Sequence, residues 1–196
     1  MCGIIAAASN RNVGKLLVQG LHKMEYRGYD SAGIALHQSN QIAHLRTLGK
    51  VKLLEEKMIA EKPKSKLGIA HTRWATHGEP SEENAHPHMS NDRVYIVHNG
   101  IIENYLDLKE FLQKEGYSFS SETDSELIAH MLEYFLNKDN SMLDSMYLTK
   151  EKLEGAYAIA AIDRENENNI TIMALFKIKA SPLKLRLTKV KLLFLA

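Results

Sequence analysis

The chain has 196 residues, of which 44% are hydrophobic and 25% charged, and its formal net charge is +1. This length suits one domain with a sizeable core, and the near-neutral charge gives no support to a nucleic-acid partner. One cysteine excludes an intrachain disulfide framework and fits a reducing, cytoplasmic compartment. The absence of a signal peptide and of any apolar run of roughly 18–20 residues predicts no membrane partner.

Hydrophobic periodicity and turn residues predict helices at residues 12–25, 51–61, 106–113, 126–136 and 143–153, and strands at 2–8, 33–37, 42–48, 67–72, 94–98, 156–163 and 170–176. Strands come as neighbouring pairs with helices between the pairs. This order favours a layered α/β or α+β domain with a largely antiparallel sheet. Residues 73–89 lack periodicity, and a long ordered loop inside a compact domain is usually functional.

The only cysteine, Cys2, follows the initiator methionine. If Met1 is cleaved, one residue carries both a thiol and a free α-amino group. A thiolate attacks carbonyls well, and an α-amino group with a pKa of ~7.7–8.0 can accept its proton near pH 7. The alternative, from position alone, is a small hydrophobic residue entering a buried strand.

Residues 73–78 (RWATHG) follow a predicted strand and combine a cation, an aromatic ring and polar groups. Arg73 can clamp a carboxylate through two hydrogen bonds, Thr76 and His77 offer further hydrogen bonds, and Trp74 can close over a site as an apolar lid. The alternative is a surface ion pair beside a core tryptophan.

Two more segments carry groups suited to binding charge. The Asn99 amide and the Gly100 N–H can together hold an oxyanion, although Asn-Gly taken alone is more typical of a tight turn. Residues 121–126 (SETDSE) are typical of a helix N-terminus, where Ser, Thr or Asp caps the helix and acids favour its positive end. An acid in this segment can also pair with a substrate ammonium.

Several histidines raise the question of a metal site. His86 and His88 are two apart, with His71 and His77 nearby, but this spacing matches no structural zinc pattern and the cysteine is distant in sequence. The chain has no Walker-type or Rossmann-type glycine-rich loop. We therefore predict no metal, no other cofactor and no nucleic-acid partner.

The last part of the chain differs in charge from the rest. Residues 177–196 hold five lysines and Arg186 with no acid, and removing these six positive charges from the net +1 leaves −5 on the rest. We predict one domain over residues 1–176 and a divergent basic tail over 177–196. A solvated edge strand or a disordered end is the expected form of this tail, and a partner-binding arm is the alternative.

Six segments occur in the order seen in class II glutamine amidotransferases: residues 2–4, 26–33, 71–78, 84–88, 98–100 and 123–126. Within that family the chain most resembles the glutaminase domains of glucosamine-6-phosphate synthases, because Tyr29 and the 84–88 segment are typical of that group. The resemblance covers roughly residues 2–176. It implies an N-terminal-nucleophile hydrolase fold of class α+β, a four-layer αββα sandwich with antiparallel sheets.

The resemblance also implies catalytic roles. Cys2 would attack the side-chain amide of glutamine, with its own α-amino group as the base. Asn99 and the backbone N–H of Gly100 would hold the oxyanion. A thioester to Cys2 would form, ammonia would leave, and water would then release glutamate.

Substrate-binding roles follow from the same resemblance. Arg73 would grip the α-carboxylate of glutamine and Asp124 its α-ammonium. Trp74, Thr76 and His77 would belong to a loop that closes over the substrate.

In the resembling enzymes the ammonia aminates fructose 6-phosphate in sugar isomerase domains, and we expect a homodimer of the full-length enzyme. Residues 184–196 do not follow the family pattern, so we expect a truncated or frame-disrupted product without isomerase domains that hydrolyses glutamine at most. Two alternatives stay open: the glutaminase domain of another class II enzyme, such as amidophosphoribosyltransferase, and a non-catalytic glutamine-binding module.

Overall fold

The computed structural model describes residues 2–74, 79–166, 170–175 and 193–195. A short 3-10 helix, Glu25–Arg27, follows the first α-helix. The other elements, in chain order, are β1 (Gly3–Ala8), α1 (Gly14–Met24), β2 (Ser31–Gln38), β3 (Gln41–Leu48), α2 (Val51–Glu61), β4 (Leu67–Arg73), β5 (His88–Ser90), β6 (Val94–Ile102), α3 (Tyr105–Lys114), α4 (Ser125–Leu136), α5 (Met142–Lys152), β7 (Gly155–Asp163), β8 (Ile170–Leu175) and β9 (Leu193–Leu195).

The strands form two antiparallel sheets. The first has the order β3-β2-β4-β1-β9 and the second the order β5-β6-β7-β8. β1 and β4 pair with Gly3 opposite Thr72, and β6 pairs with β7 over its whole length. The strand that begins directly after Cys2 therefore lies inside the first sheet.

Alternation along each strand divides the apolar residues among three cores. On β1, Ile4 packs into the core between the two sheets, whereas Ile5 packs under α1 and α2. On β6, Val97 faces the same intersheet core, and Ile96 faces α3, α4 and α5. Helices thus cover the outer face of each sheet, which confirms the predicted αββα sandwich with antiparallel sheets.

The first helix shows how local polar groups set an element boundary. The Asn12 side-chain oxygen accepts hydrogen bonds from the backbone N–H groups of Gly14 and Ser65, at 3.2 Å each. These bonds hold Asn12 outside the helix, so α1 begins two residues later than its periodicity predicts. None of the helices within the described ranges combines the length and the apolar character needed to cross a bilayer.

Strand β6 continues four residues beyond the predicted strand, so the Asn-Gly pair lies in the sheet and not in the tight turn that is typical of this pair taken alone. Asn99 pairs with Ala158 and Gly100 with Tyr157 inside the sheet. Gly100 has a φ of +135°, and a Cβ at this position would lie 2.3 Å from the carbonyl oxygen of Ala156. Only glycine fits here without strain, because the neighbouring strand is in direct contact.

The described part of the loop between β4 and β6 is tied to the chain before α4. The Asn84 side chain donates to the Glu79 carbonyl at 3.0 Å and to the Glu122 carboxylate at 3.2 Å, and it accepts from the Glu122 N–H at 2.9 Å. Part of the predicted irregular segment forms the three-residue strand β5. The loop is thereby held against the residues that precede α4.

The short strand β9 lies at the edge of the first sheet, where it pairs with residues 5–7 of β1. Residues 176–192 lie outside the described ranges. The division into a domain over 1–176 and a tail over 177–196 stays a prediction.

Candidate active site

The intersheet core ends in polar side chains at one end of the sandwich. On β4, His71 and Arg73 follow the inward-facing Ile69 at intervals of two, and on β6 Asn99 follows the inward-facing Val97. The β1–β4 register, continued by one residue, places Cys2 opposite Arg73. Period-two alternation in two facing sheets therefore gathers a thiol, a guanidinium, an imidazole and an amide.

One pocket brings the predicted site residues together. Its lining comes from the residue before β1, the end of β4, the loop before β5, the middle of β6 and the residues around the start of α4. It comprises Cys2, Arg73, Trp74, His86, His98, Asn99, Gly100, Thr123, Asp124 and Ser125. Every predicted site residue within the described ranges belongs to this lining.

The Cys2 thiol is held by backbone groups of Trp74. The Trp74 N–H donates to Sγ at 3.3 Å, and the thiol faces the Trp74 carbonyl oxygen at 3.7 Å. Burial raises the pKa of the Cys2 thiol, and the hydrogen bond with the Trp74 backbone offsets this rise only in part. The thiol therefore needs a base before it can attack a carbonyl.

The Asn99 amide is aimed at the residue that precedes β1. Its Nδ2 donates to the Cys2 carbonyl oxygen at 3.3 Å, across the gap between the two sheets. Gly100 follows it in the pocket wall. A side-chain N–H and a glycine backbone beside a thiol are the components of an oxyanion-binding site.

Asp124 and Arg73 give the pocket one carboxylate and one guanidinium. The Asp124 side chain is 19% exposed and accepts a hydrogen bond from the Ile102 N–H at 2.8 Å. Asp124 occupies the N-cap position of α4 but makes no side-chain cap bond, so the side-chain cap expected from a Ser, Thr or Asp of residues 121–126 is not formed by the N-cap residue. One anionic and one cationic group in a single pocket suit an amino-acid zwitterion.

Trp74 lines the pocket with an indole that is 45% exposed and packs edge-on against Tyr29, at 5.3 Å between ring centroids. Thr76 and His77 lie outside the described residues. The predicted loop that closes over the substrate therefore stays a prediction.

The sequence matches the family model described as "Glutamine amidotransferase domain" over residues 71–194. The chain belongs to the glutamine amidotransferase domain family. This match confirms the family that the six sequence motifs indicate.

Two relatives of this amidotransferase domain carry the name glutamine–fructose-6-phosphate aminotransferase (isomerizing). The protein from Vibrio parahaemolyticus is 51% identical over 173 residues, and the one from Shewanella oneidensis is 46% identical over 172 residues. Each alignment covers 88% of this chain and 28% of the relative. The chain thus spans little more than a quarter of the length of these proteins.

The fold also has a counterpart among solved structures. The glutamine phosphoribosylpyrophosphate amidotransferase of Bacillus subtilis, complexed with ADP and GMP, superimposes with a TM-score of 0.70 at 25% identity. The match covers 83% of this chain and 35% of the other. This likeness confirms the N-terminal-nucleophile hydrolase fold.

The pocket wall contains a hydrogen-bond chain that the motifs do not reveal. His98 Nδ1 lies 2.8 Å from the Ser125 hydroxyl, which donates to Asp124 at 3.4 Å. Burial lowers the pKa of His98, although the Asp124 carboxylate acts in the opposite direction. The sequence pattern could have indicated this contact, because His98 lies two residues after Ile96 and therefore on the face of β6 that packs against α4.

His71 is a second residue that sequence reasoning considered only for a metal. It lies on β4 two residues before Arg73, and its Nε2 is 2.9 Å from Asn99 Oδ1. Alternation along the predicted strand already places it on the face of Arg73.

Three histidines of this region form a buried cluster. The His86 ring lies 4.1 Å from that of His71 and 4.5 Å from that of His88, between centroids. Burial lowers the pKa of His71 and of His88 to about 3, and that of His86 well below its usual range. Within the described ranges no group of three or more His, Cys, Asp or Glu side chains has an arrangement suited to a metal ion.

Proposed function

We propose that this chain hydrolyses the side-chain amide of glutamine through a thioester on Cys2, and that the ammonia serves the amination of fructose 6-phosphate to glucosamine 6-phosphate. The observation that carries the proposal is the pocket shared by Cys2, Arg73, Asn99, Gly100 and Asp124. These groups supply a nucleophile, an oxyanion site and partners for both charges of an amino acid.

The proposed first step needs a free α-amino group on Cys2, so the residue before it must be removed. That amine takes the thiol proton while Sγ attacks the amide carbon, and the oxygen becomes an oxyanion bound by Asn99 Nδ2 and the Gly100 N–H. Collapse of this intermediate breaks the C–N bond. The leaving nitrogen takes a proton from the α-ammonium and departs as ammonia.

The second step resolves the γ-glutamyl thioester. The α-amino group, now neutral, takes a proton from water as the oxygen attacks the thioester carbon. Asn99 and Gly100 hold the second oxyanion, and its collapse expels the Cys2 thiolate. The thiolate regains a proton and glutamate leaves.

Substrate positioning rests on the two charged groups of the pocket. Arg73 would bind the α-carboxylate in a bidentate manner and Asp124 would accept from the α-ammonium. Trp74, Thr76 and His77 would complete the site from the loop after β4. These contacts are made in ground state and transition state alike, so they govern KM more than kcat.

The proposed acceptor follows from the names of the relatives, and its chemistry belongs to regions that those proteins have outside the aligned residues. A homodimer of the full-length enzyme and a reducing, cytoplasmic location are parts of the same proposal. The likeness to the phosphoribosylpyrophosphate amidotransferase favours phosphoribosylpyrophosphate as a second candidate acceptor. Its 25% identity to this chain supports that acceptor less than the 51% identity of the Vibrio parahaemolyticus enzyme supports fructose 6-phosphate. The acceptor aminated by the full-length gene product separates the two.

The test is glutamate release from glutamine by the chain that begins at Cys2, with its N-terminus verified by intact mass. We expect turnover, and we expect none in Cys2→Ala. Glutamine binding without glutamate release by the processed chain would overturn the proposal and would instead indicate a non-catalytic binding module.

A further inference from the structure

We propose that His71 is a positioning residue that holds the Asn99 amide with its N–H groups toward the oxyanion site. This inference rests on the proposed function and extends it from the groups that line the pocket to one that acts through them. The His71 side chain donates to Asn99 from the neighbouring sheet and is absent from the pocket lining.

Two acceptors determine the tautomer of His71. Nε2 lies 3.1 Å from the backbone carbonyl oxygen of His98, which can only accept. Nε2 must therefore carry a hydrogen. The atom of Asn99 that lies 2.9 Å from the same nitrogen must then be its oxygen, because a second N–H would find no lone pair there.

This tautomer also determines which way the Asn99 amide is turned. With Oδ1 held by His71, Nδ2 is directed at the Cys2 carbonyl, 3.3 Å away. A half-turn of the amide would present Oδ1 to the developing oxyanion instead, and two negative oxygens repel. Loss of His71 would therefore cost the donor its orientation even though Asn99 remains.

The position of His71 in the fold suits this role. It pairs with Ile4 on β1, directly beside the nucleophile strand, whereas Asn99 belongs to the second sheet. The bond from His71 to Asn99 thus ties the oxyanion donor to the sheet that carries Cys2. The His71 ring is 1% exposed and packs against His86, so its plane is fixed by contact.

The imidazole stays neutral in working conditions. Burial lowers its pKa to about 3, against a smaller opposing effect of the Asn99 hydrogen bond. A group that does not titrate between pH 5 and 9 keeps its charge, so the tautomer set by the His98 carbonyl can donate its hydrogen bond throughout that range.

The kinetic test compares His71→Leu, His71→Gln and Asn99→Ala in the chain that begins at Cys2. We expect His71→Leu to lower kcat by about 10- to 100-fold and to change KM by no more than about twofold. This loss of kcat is smaller than the roughly 10²- to 10³-fold loss that is typical of deleting an oxyanion donor. Gln can place an N–H where Nε2 lies, so His71→Gln should restore most of kcat. On the Asn99→Ala background, His71→Leu should lower kcat less than threefold further.

The matched control is His37→Leu, which removes another buried histidine that bonds a backbone carbonyl, that of Arg164 at 2.8 Å. It should reduce stability and leave kcat unchanged. Alkylation of Cys2 by iodoacetamide, a displacement without an oxyanion, should proceed at the parent rate in His71→Leu. The inference would be overturned if the kcat losses from His71→Leu and Asn99→Ala were fully additive in the double variant. It would also be overturned if His37→Leu lowered kcat as much as His71→Leu does.

A second measurement needs no variant that might misfold. Long-range ¹H–¹⁵N NMR should show His71 protonated on Nε2 and bare on Nδ1 from pH 5 to 8. The opposite tautomer, or titration of the ring near pH 6.5, would overturn the inference. Absence of glutamate release from the parent chain would instead overturn the proposed function, so the two failures are distinguishable.

Discussion

Burial of the Cys2 thiol explains why this residue needs a partner before it can react. Its pKa is raised by desolvation, so near neutral pH the sulfur carries a proton. The only cysteine of the chain is thus not activated by its surroundings alone. In the proposed mechanism the α-amino group of the same residue supplies the missing base, so N-terminal processing is a condition of activity.

This base predicts the pH profile of the reaction. The α-amino group must be neutral to take the thiol proton, and its ordinary pKa is ~7.7–8.0. We expect kcat/KM for glutamate release to rise about tenfold per pH unit below pH 7 and to level off above pH 8. A flat profile from pH 6 to 8 would contradict this role, and acetylation of the α-amino group should abolish turnover.

Asp124→Asn tests the proposed contact with the substrate ammonium. Neutralising the carboxylate should raise KM for glutamine by about 10- to 100-fold, since an ionic hydrogen bond in a partly buried site is worth about 1.5–3 kcal/mol. Glu122→Gln is the matched control, because Glu122 lies in the same segment outside the pocket lining. Equal KM values for the two variants would remove Asp124 from this role.

At the residue scale the sequence predicts the groups that we propose carry the chemistry, and it misses His71, which we propose orients one of them. Cys2, Arg73, Asn99 and Asp124 stand out because a thiol, a guanidinium, an amide and a carboxylate each suit one part of amide hydrolysis. The role of His71 comes from a contact with Asn99, 28 residues away in the facing sheet. A one-dimensional pattern does not state which side chains meet across two sheets.

Strand β6 illustrates the same limit for an element. Most helices and strands follow from their apolar periodicity, and α2 spans the predicted residues 51–61. The Asn99-Gly100 pair is locally typical of a turn, yet pairing with β7 keeps both residues in the strand. Tertiary pairing overrides the local preference because β7 offers partners along the whole of β6.

Gly100→Ala tests that arrangement. The unfavourable φ and the approach to the Ala156 carbonyl should together lower the free energy of unfolding by about 2–5 kcal/mol. Gly116→Ala is the matched control, since Gly116 has a φ of +94° with nothing within 4 Å of the added methyl. It should cost only about 1–2 kcal/mol. Urea unfolding that gives equal losses would contradict the close approach at Gly100.

For the whole molecule, the sandwich of two sheets encloses histidines that are kept neutral. Burial lowers the pKa of His44 to about 4 and of His71 and His88 to about 3. In the unfolded chain these groups bind protons near pH 6.5. Their contribution to stability is therefore complete above pH 6.5 and is lost as the pH falls toward the folded-state values.

This linkage predicts acid sensitivity. Between pH 6.5 and 5.5 the free energy of unfolding should fall by about 1 kcal/mol for each of these three histidines. Urea unfolding at the two pH values measures the fall. His88→Gln should make the fall smaller by about 1 kcal/mol. A stability independent of pH over this range would show that the histidines are not held neutral.

Covalent labelling of Cys2 tests the proposed nucleophile most directly. The chain that begins at Cys2 is exposed to a glutamine-analogue electrophile and examined by intact and peptide mass spectrometry, with and without glutamine. We expect one adduct, on Cys2, formed more slowly when glutamine is present and absent from the chain that retains Met1. An adduct at another residue, or the same labelling rate with Met1 retained, would contradict an N-terminal cysteine nucleophile.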